Sequence, residues 1–364
     1  MTKPATVVWK LDPHTAAKHQ ILRTYLGAWF AILAQRMPKV VYLDGFAGPG
    51  RYKGGEAGSP IIALDIATEQ ARKNSRTEFV LFFIEQDRAR LEHLAEEIKL
   101  KTIPAKVKVY PVQGDFEKAV QSLFEHLESG RANLAPTFAF IDPFGFSGIP
   151  FRLVSKFLRY QSTEVFINIM ADAINRFIQH PNQAIPQHVI ETFGTDKVTE
   201  ILRDAPDRFV ALRDLYQEQL RSHARFVRYF EMRDERDKVI YYLFFASNNR
   251  LGHQRMKEAF WKVDNLGGYK FSDSTNPNQM VLFSPDPSSE VAQLLRRNFL
   301  GQTVSTDEIF AFINDDSAYI ESHTRKALQL LEKEQKIEVA PQKNDGMKRK
   351  SGTFPEGVIV TFAQ

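Results

Sequence analysis

Apolar residues fall into two alternating rhythms along the first half of the chain. Over residues 14–36, Ile21, Leu22, Tyr25, Trp29, Ile32 and Leu33 recur at helical spacing. Pro38 closes that segment. The next run, Val40-Val41-Tyr42-Leu43, is short and partly β-branched, and it ends at Asp44 before a Gly-rich loop. Residues 59–73 read as a helix with Ser59 as N-cap and Pro60 at the first helical position. The alternation then repeats, with strands at 79–84, 107–112, 137–141 and 165–169 and helices at 87–100, 116–128 and about 150–160. Several strands are apolar on both faces. That predicts an α/β fold whose parallel sheet is covered by helices on both sides.

Regularity weakens after residue 171. Residues 172–224 read as helices broken by Pro181, Pro186 and Pro206, and 226–247 as two strands around a charged turn. A short helix follows at 252–264, then loop at Gly267-Gly268 and 272–279. Pro285-Asp286-Pro287 marks a boundary. Beyond it come helices at 305–314 and 317–335 and strands at 337–340 and 358–362, the order of a winged helix-turn-helix. The expected domains are 1–285, carrying a helical and hairpin insertion at about 172–265, and 286–364.

Composition narrows the chemistry. The 29 Phe among 364 residues predict a large aromatic core. With no Cys, disulfides, thiolate nucleophiles, cysteine zinc sites and cysteine-ligated iron–sulfur clusters are excluded. The nine His lack H-E-x-x-H spacing, so no metal site is expected. No apolar run reaches the ~18 residues of a membrane span, and the opening MTKPATVVWKLDPHT lacks the apolar core of a signal peptide. A cytoplasmic protein without membrane contact is expected. The net charge, 48 − 44 = +4, permits a nucleic-acid partner but is too small to argue for one.

The loop YLDGFAGPGRYKGG (42–55) follows a strand where open α/β sheets bind ligands. Asp44, Gly45, Phe46, Ala47, Gly48 and Gly50 are its candidate ligand-facing residues. The third position of a dinucleotide G-x-G-x-x-G is Lys53, and no Gly-Lys-Ser/Thr of a P-loop is present. The loop also continues well before the next helix, which suits pyrophosphate poorly. S-adenosylmethionine (SAM), with ribose, adenine and amino acid but no phosphate, fits better. Asp44 ends the first strand, where it can face the ligand's ammonium or an ordered water. Glu85 ends the second and can accept two ribose hydroxyls. Asp115, in Gln113-Gly114-Asp115-Phe116, can accept from the adenine amino group while Phe116 stacks on the ring. Each acid alone can equally be a turn residue or helix cap. Their succession at three strand ends beside the loop carries the reading.

The fourth strand ends in FAFIDPFGFSG (138–148), with candidate catalytic residues Asp142, Pro143 and Phe144. The segment resembles the Asp/Asn-Pro-Pro-aromatic motif of base-amino methyltransferases, which accepts hydrogen bonds from the target amine and stacks on the base. Here Phe144 stands in place of the second proline. The alternative is a turn started by Asp142-Pro143. His14 and His19 lie on the first helix, and His14 can line the mouth of the site or serve as a cap.

Residues 44–60, FIEQD (83–87), GDF (114–116), 138–148 and the first-helix segment 14–29 together resemble the three-Cys-motif partner proteins, TcmP. The resemblance spans about 1–285. It implies a Rossmann-like fold of the class I SAM-dependent methyltransferases and a partner protein bearing three clustered cysteines. By the same resemblance, the ligand-loop positions are Asp44, Gly45, Gly48 and Gly50. The acidic positions are Glu85 and Asp115, and the fourth-strand position is Asp142.

In the C-terminal module, His323, Arg325 and Lys326 on the expected recognition helix and Lys343, Lys348, Arg349 and Lys350 on the wing are the candidates for phosphate contacts. Residues 286–364 hold 10 basic and 12 acidic residues, 10 − 12 = −2, so only a local face can be basic. Two functions follow: a SAM-dependent methyltransferase acting on nucleic acid, or a non-catalytic partner that keeps the fold and binds SAM or nucleic acid.

Overall fold

Helix α1 (Pro13–Leu33) leads into strand β1 (Lys39–Asp44). The alternation then runs α2 (Ser59–Lys73), β2 (Glu78–Glu85), α3 (Arg88–Lys99), β3 (Val107–Gln113), α4 (Phe116–Ser129), β4 (Thr137–Ile141), α5 (Phe151–Leu158) and β5 (Thr163–Ile169). The structure is a computed structural model that describes residues 6–73, 76–145, 148–177, 184–264, 266–274, 286–342 and 346–363. These five strands are parallel, in the order β3-β2-β1-β4-β5. Every residue of β4 and β5 is buried, as the doubly apolar strands predict. β3 is the outer edge. It is mostly exposed and holds Pro111, whose missing N–H an edge position tolerates.

The hairpin of β6 (Phe226–Arg233) and β7 (Val239–Ser247) is not part of an insertion. β7 pairs antiparallel with β5, from Glu164↔Ser247 to Ile169↔Tyr242, and β6 lies beyond it. The continuous apolar run of β7 is what a strand flanked on both sides requires. The short β8 (Lys270–Ser272), between two stretches read as loop and overlapping the second at Ser272, pairs with β6 and completes eight strands in the order β3-β2-β1-β4-β5-β7-β6-β8. Helices α6 (Ala171–Phe177), α7 (Ala184–Phe193), α8 (Lys197–Asp204) and α9 (Arg208–Arg221) lie between β5 and the hairpin, and α10 (Arg250–Val263) packs on α1. This is a Rossmann-like α/β fold, a largely parallel sheet extended by an antiparallel hairpin.

The aromatic excess fills this interior. Tyr42 stacks on Phe138, which also touches Tyr25, Trp29 and Phe166. One carboxylate sits among them. Glu164 accepts from Tyr25 and, at 2.9 Å, from Ser247, and burial pushes its pKa up to about 7. A Cβ at residue 252 would lie 2.0 Å from Glu164 Oε1, so α10 carries Gly252 there.

The chain divides into two compact units, Met1–Val263 with Lys270–Pro277, and Asp264–Tyr269 with Asn278–Gln364. The boundary expected at 285 lies outside the described residues. The second unit contains α11 (Ser288–Phe299), β9 (Thr303–Ser305), α12 (Thr306–Asp316), α13 (Glu321–Lys333), β10 (Ile337–Val339) and β11 (Ile359–Phe362). Its antiparallel sheet runs β10-β11-β9, so a third strand and a leading helix join the expected winged helix-turn-helix. Val291, Leu295, Ile309, Ile313, Leu328, Leu331 and Phe362 form its core. Ser305 and Glu308 form a capping box at the start of α12. Ser305→Ala is expected to cost about 1 kcal/mol, readable as a lowered denaturation midpoint of this unit.

Candidate active site

The strand order reverses between β1 and β4, and ligands of open α/β sheets bind at such a switch point. Two cavities lie there. The smaller, about 180 Å³, is lined by Gly45, Phe46, Glu85, Gly114, Asp115, Phe116, Pro143 and Phe144. The larger, about 340 Å³, is lined by Phe46, Ala47, Gly48, Gly50, Asp142, Pro143 and Phe144 and by residues of α1. Phe46, Pro143 and Phe144 border both. Every residue assigned in sequence to cofactor or catalysis lines one of these cavities except Asp44.

Asp44 lies beneath the loop, fully buried, and lines neither cavity. Its carboxylate accepts from Phe46 N and Tyr42 Oη, both at 3.2 Å, and from Ser59. Ser59 is therefore not the N-cap of α2 but its first residue, turned onto Asp44. Burial pushes the Asp44 pKa up to about 7, and nearby Asp142 raises it further. The native state thus holds a proton on Asp44 between about pH 4 and 7 that the unfolded chain has lost. Its contribution to stability is fully present near pH 4 and is lost as pH rises through 7. Histidines 19 and 253, depressed to about 3 and about 2 by burial, act in the opposite direction below pH 6.5. The informative quantity is therefore a difference. The stability of the wild type relative to Asp44→Asn should fall between pH 5 and pH 8, measured by urea unfolding.

Glu85 is 5% exposed. It accepts from Gly48 N at 2.9 Å and from Asp87 N at 2.7 Å, tying β2 to the Gly-rich loop. An ionised carboxylate has about four acceptor positions, so two remain for a ligand's hydroxyls. Gly48 and Gly50 hold φ of +65° and +86°. At Gly50 a Cβ would also meet Leu94 at 2.8 Å.

The two adenine-side residues also have structural roles. Asp115 is the N-cap of α4, with Oδ1 accepting from Glu117 N and Lys118 N. Phe116 is 2% exposed and belongs to the core. It stacks on Phe46 at 5.4 Å, and a Cβ at Gly45 would lie 2.6 Å from its ring. Its ring supports the loop and also borders the smaller cavity.

Asp142 is engaged on both oxygens. Lys18 Nζ lies 2.5 Å from Oδ2, and Asn168 Nδ2 donates to Oδ1 at 2.8 Å. Lys18 is almost wholly buried, 5.2 Å from the Tyr241 ring centroid. The larger cavity is further walled by Trp9, Tyr52, His14, His19 and Met170. Phe144 meets Trp9 edge-on at 5.4 Å, and the Arg90 guanidinium lies over both rings. Lys18, Asn168, Arg90 and Trp9 were not singled out in sequence. Asn168 alone left a signal, a polar residue inside the apolar run VFINIM.

Residues 270–344 match the family model of the GMT-like wHTH domain. No curated protein matches the chain. Similar solved structures include a protein from Legionella pneumophila (12% identity, 68% of this chain and 91% of that one, TM-score 0.40). Human methyltransferase-like protein 13 in complex with S-adenosylhomocysteine (SAH) is similar at 10% identity, over 74% of this chain and 97% of that one, TM-score 0.35. Human methyltransferase 10 domain containing protein is similar at 12% identity, over 63% and 82%, TM-score 0.30. None of these names the three-Cys-motif partner family.

The matched wHTH segment runs from β8 into the wing and ends before β11. Its candidate phosphate contacts are mostly engaged in ion pairs, with Arg325 and Lys326 exposed and Arg349 buried. Arg325 binds Glu321 and the Phe354 carbonyl, and Lys326 binds Asp286 at 3.2 Å. Arg349, 6% exposed at its side chain, is held by Glu332, Ala340 O and Thr353 O, so it braces the wing instead of facing a partner. His323 meets Tyr319 edge-on. Lys348 and Lys350 are exposed, and Lys343 lies outside the described residues. No group of three or more His, Asp or Glu among the described residues is placed to hold a metal ion. No helix among them is long and apolar enough to cross a membrane.

Proposed function

We propose that the protein is a SAM-dependent methyltransferase acting on nucleic acid. The observation that carries this reading is the pair of cavities meeting at Phe46, Pro143 and Phe144, with Glu85 on one side and Asp142 on the other. SAM supplies an electrophilic methyl group when bound. Glu85 and the αL backbone of Gly48 and Gly50 hold its nucleoside and amino-acid parts, and Asp115 lines the adenine end. The donor set fits: a deep carboxylate with acceptor capacity to spare, beside a loop shaped by glycine. The acceptor enters the larger cavity, where aromatic walls suit a planar base. Asp142, fixed by Lys18 and Asn168, orients it. Lys348 and Lys350 on the wing provide the remaining cationic contacts to phosphate.

The pairing of Arg325, Lys326 and Arg349 with neighbouring carboxylates favours a second reading, in which the winged helix contacts a protein. By the resemblance given above, that partner carries three clustered cysteines. Calorimetric titration with SAM and SAH tests the shared premise, and no binding at millimolar ligand sinks it. Transfer of labelled methyl to RNA or DNA, lost in Asp142→Ala with SAM binding kept, supports the enzyme. SAM binding without transfer to either supports the partner protein.

A further inference from the structure

We infer that His14, held by Asp273, takes the proton released by the methyl acceptor, so the acceptor atom enters the reaction as O–H or N–H. The inference rests on the methyltransferase reading and adds a residue and a substrate class to it.

His14 is the second residue of α1, is 3% exposed and lines the larger cavity. Its Nδ1 lies 2.8 Å from Asp273 Oδ2. An ionised carboxylate only accepts, so Nδ1 carries the hydrogen and the neutral ring leaves its lone pair on Nε2. That Nε2 is buried and has no hydrogen-bond partner among the described residues. A buried polar atom left unsatisfied costs about 1–3 kcal/mol, and such atoms call for a missing partner. A second unsatisfied acceptor lines the same cavity. Asn168 Nδ2 is committed to Asp142, which fixes the amide and leaves the buried Oδ1 without a donor. With His19 Nδ1, three buried polar atoms on cavity-lining residues lack partners, and the two fixed as acceptors suit a group that brings hydrogens.

The other cavity histidine does not compete. His19 has no carboxylate against either nitrogen among the described hydrogen bonds, and burial holds its pKa at about 3. His14 has the features of a base: one ring nitrogen oriented by a carboxylate, the other unpartnered, on a residue that lines the cavity. The step balances. The acceptor's lone pair forms the bond to the methyl carbon, and the carbon–sulfur bond breaks with its electrons on sulfur, leaving SAH. The acceptor proton passes to His14 Nε2, and Asp273 stabilises the imidazolium. Asp273 is a positioning residue.

The first readout is independent of turnover. Nitrogen-15 NMR of the histidine-labelled full chain should show His14 neutral with the hydrogen on Nδ1, shifting to Nε2 in Asp273→Asn. A hydrogen on Nε2 in the wild type overturns the inference. The second readout is labelled methyl transfer to pooled RNA, DNA and protein. His14→Ala should lose at least about 100-fold in kcat, keep SAM affinity within threefold, and recover activity with added imidazole. Asp273→Asn should lower kcat more than it raises KM. A folded His14→Ala within threefold of wild type, or one that gains nothing from imidazole, overturns the proposal. So does a wild type that binds SAM yet labels none of the pools. Failure of the wild type to bind SAM instead removes the underlying methyltransferase reading.

Discussion

Replacing Lys18 with Met is expected to lower the unfolding free energy by about 3 kcal/mol, the low end of the range for breaking a buried ion pair. The Lys18 and Asp142 side chains are 6% and 18% exposed and lie 2.5 Å apart. Removing the ammonium strands a carboxylate whose remaining partner is Asn168 Nδ2, and it removes the cation beside Tyr241. The partial exposure of Asp142 lets water recover some of the loss, hence the low end. Asp142→Leu alone strands the ammonium instead. The double variant Lys18→Met/Asp142→Leu should be more stable than either single one, because two apolar groups replace two unpaired charges. Urea unfolding of the four proteins closes the cycle. Additive single effects would mean that the two groups act independently, contrary to their geometry.

The sheet was legible because its central strands are apolar on both faces. VVYL, FAFI and the FVLFFI run admit hardly any other placement. The hairpin read correctly as two strands, but its position did not. Nothing local in VIYYLFFAS tells a separate hairpin from two more strands of the main sheet. That is decided by pairing with β5, some 75 residues earlier in the chain. β8 and β9, three residues each, are too short to show a period.

The site was half legible for a related reason. Glycines and acids at strand ends are sequence-local, so Gly48, Gly50, Glu85 and Asp142 could be placed at one crevice from the strand pattern alone. What surrounds them comes from elsewhere. Lys18 reaches Asp142 from α1, Asn168 from β5, and Asp273 reaches His14 across more than 250 residues. A lysine in a helix reads as surface, and only the packing of α1 over the crevice buries it. Asp44 is the opposite case. It stands where a ligand-facing residue belongs, yet its side chain turns inward to hold the loop from below.

Glu85→Ala is expected to weaken SAM binding by at least about 100-fold, equivalent to about 2.7 kcal/mol. Two losses combine. Gly48 N and Asp87 N lose this acceptor, and the buried Gly48 N–H left unpaired costs about 1–3 kcal/mol. The Gly-rich loop then has no anchor on β2, so its αL backbone is no longer set for the ligand. The acceptor positions assigned to the ribose hydroxyls vanish as well. Glu85→Gln separates these terms. Its single oxygen can serve one of the two N–H groups, while its amide NH₂ meets the other donor head-on, so it too should weaken binding, though less than Ala. Calorimetry with SAM and SAH measures the effect, and a denaturation midpoint for each variant corrects for lost stability. Affinity within threefold of wild type in a folded Glu85→Ala would remove the ribose from this carboxylate. Glu85 would then be a structural tie between β2 and the loop, and the smaller cavity would lose its claim to the nucleoside.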